Sequence, residues 1–340
     1  MSFRTFGIVG IIMVAVLVAL ASPRHHPPAQ PGDVTVLNVK IHEWDVPTKG
    51  GHPHDPAVGS DGALWFTEQM SNKIGRLDPK TGEIKEYTLP SDKNAGPHGL
   101  MADRDGNIWF TANFGGYIGK LDPKTGHVEQ FNTGEKADDP HTLVFDGNGI
   151  VWFTVQGGNM VGRLDPKTGK ITLKEVPTES ALPYGIQINS KGSPIFCELG
   201  THKIASIDPK TMAIKEYNLP DEARPRRLAI AADDTVYFTD FKSGHLGVLN
   251  TSTGAVKLLP SPGGVESNPY GITITPDGMV WYSESGVKPN TIIRFDPKTG
   301  TFARANIPSG GGVVRNMVST SDGRVYIACS GVDKVGIVQP

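Results

Sequence analysis

The chain has 340 residues, 38% of them hydrophobic, and a formal net charge of -2, a balance that offers no bulk electrostatic attraction to nucleic acid or an anionic membrane. Its 41 glycines and 27 prolines imply many turns between short strands, and no stretch carries a helical period strong enough to compete. At the N-terminus, Arg4 precedes an uncharged apolar run from Phe6 to Leu20 and a small-residue step, Ala19-Leu20-Ala21. This pattern predicts a secretory signal over residues 1–21, cut after Ala21, and so an exported protein, periplasmic or secreted, with no membrane span in its mature form. The apolar run is short against the roughly 20 residues that cross a bilayer. Residues 22–34 read as a flexible proline-rich linker in which His25 and His26 are solvated.

From residue 35 to 340 the chain is expected to be one domain built from a repeat. LDPKTG begins at Leu77, Leu121 and Leu164, with variants at Ile207, Leu249 and Phe295, so the period is 42 to 46 residues. Between these turns lies a second element, seen as LWFTE from Leu64, IWFTA from Ile108, VWFTV from Val151, PIFCE from Pro194, VYFTD from Val236, VWYSE from Val280 and VYIAC from Val325. Seven copies of a four-stranded unit predict an all-β, seven-bladed β-propeller. In the first unit, strand A falls near Pro56 to Gly59, B at Ala63 to Thr67, C at Lys73 to Leu77 and D at Ile84 to Leu89. The last unit stops after its C strand, at Lys334 to Val338, while Ile41-His42-Glu43-Trp44-Asp45-Val46-Pro47 matches the D-strand segment Ile84 to Pro90. An N-terminal strand that completes the last blade would close the ring and remove its open edges. Cys197 and Cys329 fall in blades 4 and 7, too far apart for a disulfide, so two separate thiols are expected.

The starts of the A strands carry His54, His98, His141, Tyr184, Arg226, Tyr270 and Arg315, and the ends of the B strands carry Glu68, Ala112, Val155, Glu198, Asp240, Glu284 and Cys329. Both sets fall on one face of the disc. Three imidazoles, two phenols and two guanidiniums in one register are not what packing selects, and such groups need water, one another, a metal or a ligand. Local pairs such as His54 with Glu68 or Arg226 with Asp240 are the plain alternative. Carboxylates on this face would suit Mg²⁺ or Ca²⁺, whereas zinc would draw His54, His98 and His141 together. The sequence has no nucleophile elbow, P-loop or H-E-x-x-H motif.

W-F-T-E, K-I-G-R-L at Lys73 to Leu77, I-K-E-Y-x-L-P at Ile84 to Pro90 and Ile214 to Pro220, and P-[HY]-G-[IL] at Pro97, Pro183 and Pro269 together resemble the virginiamycin B lyase family over residues 35 to 340. The resemblance implies a seven-bladed propeller and a Mg²⁺-assisted elimination that opens a cyclic depsipeptide at its ester. It also implies P-H in the next-to-last blade, and E-P-H with a terminal Glu in the last. This chain instead has Tyr270, then Val313-Val314-Arg315 and Cys329 there. Two function classes follow, the first the expected one and the second its alternative. One is a lyase of ester or lactone-type small molecules with His54, His98 or His141 as base and Glu68 and Asp139 on a metal. The other is a non-catalytic, monomeric propeller that binds a small molecule, peptide or cell-wall component through Tyr184, Arg226, Arg227, Tyr270 and Arg315, with Glu198, Asp240 and Glu284 beside them.

Overall fold

The computed structural model describes residues 34–220 and 222–340. The expected export signal over 1–21 and the linker up to residue 33 lie outside the described residues. Within them, no helix is long and apolar enough to cross a membrane.

The strands form seven antiparallel sheets, the blades of a propeller. Blade 1 runs Pro53–Val58, Leu64–Glu68, Lys73–Leu77 and Ile84–Thr88, from the axis outward. Blades 2 to 6 begin with inner strands Pro97–Ala102, Pro140–Phe145, Pro183–Ile188, Pro225–Ile230 and Pro269–Ile274. Blade 7 takes Val314–Ser319, Val325–Cys329 and Lys334–Gln339 from the C-terminus, and its outer strand is Lys40–Asp45, with Ile41 opposite Val338 and Trp44 opposite Val335. The inner strand of blade 7 packs on that of blade 1, which closes the ring as the repeat predicted. The sequence did not announce one addition: Thr35–Val36 pairs in parallel with the outer strand of blade 6, Thr301–Asn306.

The repeated residues have plain physical reasons. Asp122 accepts the Lys124 amide, and Gly126, at φ 76°, completes the turn in a region that favours glycine. In blades 1, 2, 3 and 5 the glycine of the K-I-G-R-L-type strand lies under the aromatic ring of strand B. A Cβ on Gly75 would sit 2.2 Å from the Phe66 ring, and one on Gly119 2.2 Å from Phe110. The B-strand tryptophans are buried between blades, and Trp109 and Trp152 donate from Nε1 to Asp103 and Asp146 of the preceding turns.

The inner strands begin three residues earlier than the sequence pattern indicates, because a β-bulge lets them stay paired. In blade 1, Pro53 lies opposite Glu68 and Pro56 opposite Phe66, so the register shifts by one residue and both His54 and Asp55 fall in the bulge. The bulge is held by the Thr of W-F-T-E. The Asp55 amide donates to Thr67 Oγ1, which donates to the His98 carbonyl of the next blade at 2.8 Å. Thr111, Thr154, Thr239 and Ser283 make the same bridge to His141, Tyr184, Tyr270 and Val314. Blades 4 and 7 have Cys197 and Ala328 at this place. Thr111→Val would leave the Gly99 amide and the His141 carbonyl short of a buried partner, and is expected to cost about 1–3 kcal/mol in urea unfolding. An unchanged midpoint would show that the bridge does not position the ring. Cys197 and Cys329 are buried, separate thiols.

Candidate functional site

The bulges present two residues per blade to the axis. The first set is His54, His98, His141, Tyr184, Arg226, Tyr270 and Arg315, and its aromatic members pack at a tilt against one another. Centroids are 3.8 Å apart for His54 and His98, 3.7 Å for His98 and His141, and 4.0 Å for His141 and Tyr184. The Tyr184 and Tyr270 hydroxyls meet at 2.5 Å. The Arg226 guanidinium lies 3.8 Å from the Tyr270 centroid and 4.2 Å from that of Phe241, and its Nη2 reaches the Tyr184 hydroxyl at 3.4 Å. The three imidazoles and two phenols are at most 3% exposed, whereas Arg226 and Arg315 are half-buried. Arg315 donates from Nε to Ser330 Oγ at 3.0 Å.

The second set is Asp55, Gly99, Thr142, Gly185, Arg227, Gly271 and Asn316. Asp55 and Arg227 are the charged members, and they meet across the axis from blades 1 and 5. Nη2 of Arg227 donates to Oδ1 at 2.6 Å and Nη1 to Oδ2 at 3.3 Å, with both side chains buried. Asp55 also accepts from His54 Nδ1 at 2.9 Å. This residue was missed in the sequence. Aligning the second bulge positions would have found it, since Asp55 is the one acid among them and faces the one base. Beyond the pair a channel of about 300 Å³ runs along the inner strands, lined by residues that include Leu100, Ile186, Ile272 and Met317.

Burial lowers the basicity of all three imidazoles well below the usual histidine range; the Arg227 and Arg315 cations add to it for His54 and Arg227 for His141, while His98 is also disfavoured as a charge by the imidazoles packed on either side of it. They are neutral at neutral pH. Burial works against ionising Tyr270, but Arg226, Arg227 and Arg315 outweigh it and hold its phenol below the ordinary value, while burial and Tyr270 itself push Tyr184 up.

The strand-B carboxylates do not join the ring. Each lies directly opposite the proline that precedes the bulge: Pro53 with Glu68, Pro183 with Glu198, Pro225 with Asp240, Pro269 with Glu284. Each acid shares its proline's side of the sheet and turns into its own blade's loops. Glu68 accepts from Ser71 at 2.9 Å and Glu198 from Thr201 at 3.0 Å. Asp240 accepts from Ser243 and from the Arg224 amide, and Glu284 from Ser261, the Gly263 amide and Thr291. Asp139 holds the Gly157 and Gly158 amides. The pairs His54 with Glu68 and Arg226 with Asp240 are not formed. Desolvation pushes both Glu68 and Glu198 up to about 7.

A family model described as the virginiamycin B lyase family matches residues 32–207 and again 196–340. The chain belongs to the virginiamycin B lyase family. The virginiamycin B lyase of Saccharopolyspora erythraea is 44% identical over 54 residues, a match spanning 16% of this chain and 18% of that protein. A catalytically inactive histidine-to-alanine variant of the Staphylococcus aureus virginiamycin B lyase with quinupristin aligns at TM-score 0.80 and 25% identity, covering 89% of this chain and 99% of that one. The selenomethionine-substituted S. aureus enzyme aligns at TM-score 0.81 and 24% identity, with the same coverage.

As a virginiamycin B lyase family member, the chain can be tested for the magnesium its family implies. Mg²⁺ takes near-octahedral oxygen ligands, carboxylates foremost. Glu68 and Asp139, the acids that the sequence nominates, come from blades 1 and 3 and serve their own loops. Among the described residues, the one group of three potential ligands within 4.8 Å of one another is His54, Asp55 and His98. That group has two nitrogens and one carboxylate already bound to Arg227, with further guanidiniums nearby. It does not fit Mg²⁺.

Proposed function

We propose that this family member is an exported propeller that binds a small molecule at its ringed mouth and does not perform metal-assisted ring opening. The observation that supports this reading is the local pairing of every strand-B carboxylate with loops of its own blade or the connection leading into it. A dication bridging blades would need those acids turned inward, and the bulge register turns them out. What the mouth offers instead is half-buried cations on a floor of neutral, closely packed rings, a surface suited to holding a ligand.

A second reading keeps an elimination without the metal. The Tyr184–Tyr270 hydroxyl pair supports it, because Tyr270 stands collinear with the family's P-H histidine and lies under guanidiniums that favour its phenolate. Tyr270, as its phenolate, would take the proton next to a carbonyl, and Arg226 or Arg315 would stabilise the enolate-like charge. The ester C–O bond at the β carbon would then break to release the carboxylate.

Incubation with quinupristin, the ligand of the S. aureus relative, separates the readings. The binding reading expects the ester to survive with and without Mg²⁺. Mg²⁺-dependent opening contradicts it, and metal-independent opening abolished in Tyr270→Phe establishes the second.

A further inference from the structure

The ring has more donors than acceptors. Arg226, Arg227 and Arg315 bring three positive charges, against the single carboxylate of Asp55 in the adjoining bulge set. With the imidazoles neutral, the mouth holds a surplus of two positive charges. The hydrogen-bond count agrees. Arg226 Nε, Arg227 Nε and His98 Nδ1 are buried and have no partner among the described residues, and Arg227 and His98 are themselves 4% and 2% exposed. The two Nε groups are donors, and buried donors of this kind are rarely left unmet, whereas His98 Nδ1 donates in one tautomer only. A surplus of positive charge at a partly buried mouth is stabilised by an anion.

Guanidinium chemistry narrows the class. A planar fork matches the paired oxygens of a carboxylate or phosphate. Arg226 is half-buried and flanked by the Tyr270 and Phe241 rings, so its plane is fixed while solvent still reaches it. Arg315, also half-buried, gives its Nε to Ser330 and has further N–H donors to offer.

We propose that the mouth is an oxyanion site, in which Arg226 and Arg227, with His98 beside them, take the carboxylate or phosphate group of a small ligand. This rests on the binding reading above and names the ligand class for it.

Isothermal titration at low ionic strength, with inorganic phosphate and malonate as probes and chloride at matched ionic strength as control, tests the site. The wild type is expected to bind one of the two oxyanions, and the stronger arm identifies the group. Arg226→Gln is expected to weaken that Kd at least about tenfold, or 1.4 kcal/mol, with an unchanged melting temperature in the absence of probe. Arg315→Gln, whose side chain meets only Ser330 among the described hydrogen-bond partners, is the second variant and is expected to weaken binding as well. The proposal is overturned if neither oxyanion binds the wild type more tightly than about 1 mM, or if both variants bind as the wild type does. If a neutral compound is captured at the mouth while both oxyanions fail, the oxyanion class falls and the binding reading stands.

Discussion

Asp55→Asn is expected to be the most damaging conservative change in the protein, costing about 3–5 kcal/mol in denaturant unfolding. The substitution keeps the shape and removes the charge, leaving Arg227 buried with no counter-ion at the axis. Breaking one side of a buried ion pair costs this much because the remaining charge stays desolvated. The pair joins blades 1 and 5, 172 positions apart in the chain, so its loss acts on the whole ring. The double variant Asp55→Leu with Arg227→Met removes both charges and is expected to be more stable than Asp55→Asn alone. Purely additive costs would show that the two side chains do not act as a pair.

Glu68 and Glu198 are each expected to contribute a stability that falls as pH rises from 5 to 8. It acts against the opposing rise that the three buried, neutral imidazoles give up to the unfolded histidine value near 6.5. Both carboxyls are raised by desolvation to about 7, against a value near 4.3 in an unfolded chain. A raised folded value means the native state holds its proton more tightly. The contribution is complete below the unfolded value and is lost as pH passes through 7. It amounts to on the order of 2 kcal/mol for each residue. The two sit in matching settings: Lys73, Glu86 and Thr48 beside one, Lys203, Glu216 and Thr178 beside the other. Each also has a buried Oε1 without a partner among the described residues. Glu68→Gln and Glu198→Gln should match the wild type near pH 4 and exceed it at pH 8. A stability difference between these variants and the wild type that stays constant from pH 4 to pH 8 would contradict the assignment.

The repeat made the fold legible because its spacing, its turn chemistry and the missing D strand of the last blade all pointed to a closed ring. The composition of the mouth was legible too, since His54, His98, His141, Tyr184 and Tyr270 share a register visible in the aligned repeats. The pairing was not. Reading the start of A and the end of B as neighbours set His54 beside Glu68, but the bulge inserts a residue there, and a one-residue shift sends the histidine and the acid to different sides. The same shift hid Asp55, whose partner lies four blades on. Nothing in local spacing announces a contact across the axis of a ring.

The most direct test of the account is the metal content and melting temperature of the protein at pH 8, with and without chelator, for the wild type and Glu68→Gln. Carboxylates that serve their own loops predict no change on chelation, together with a higher melting temperature for Glu68→Gln. A bound divalent ion whose removal lowers the wild-type melting temperature, with that effect lost in Glu68→Gln, would place a metal at this face and contradict the account.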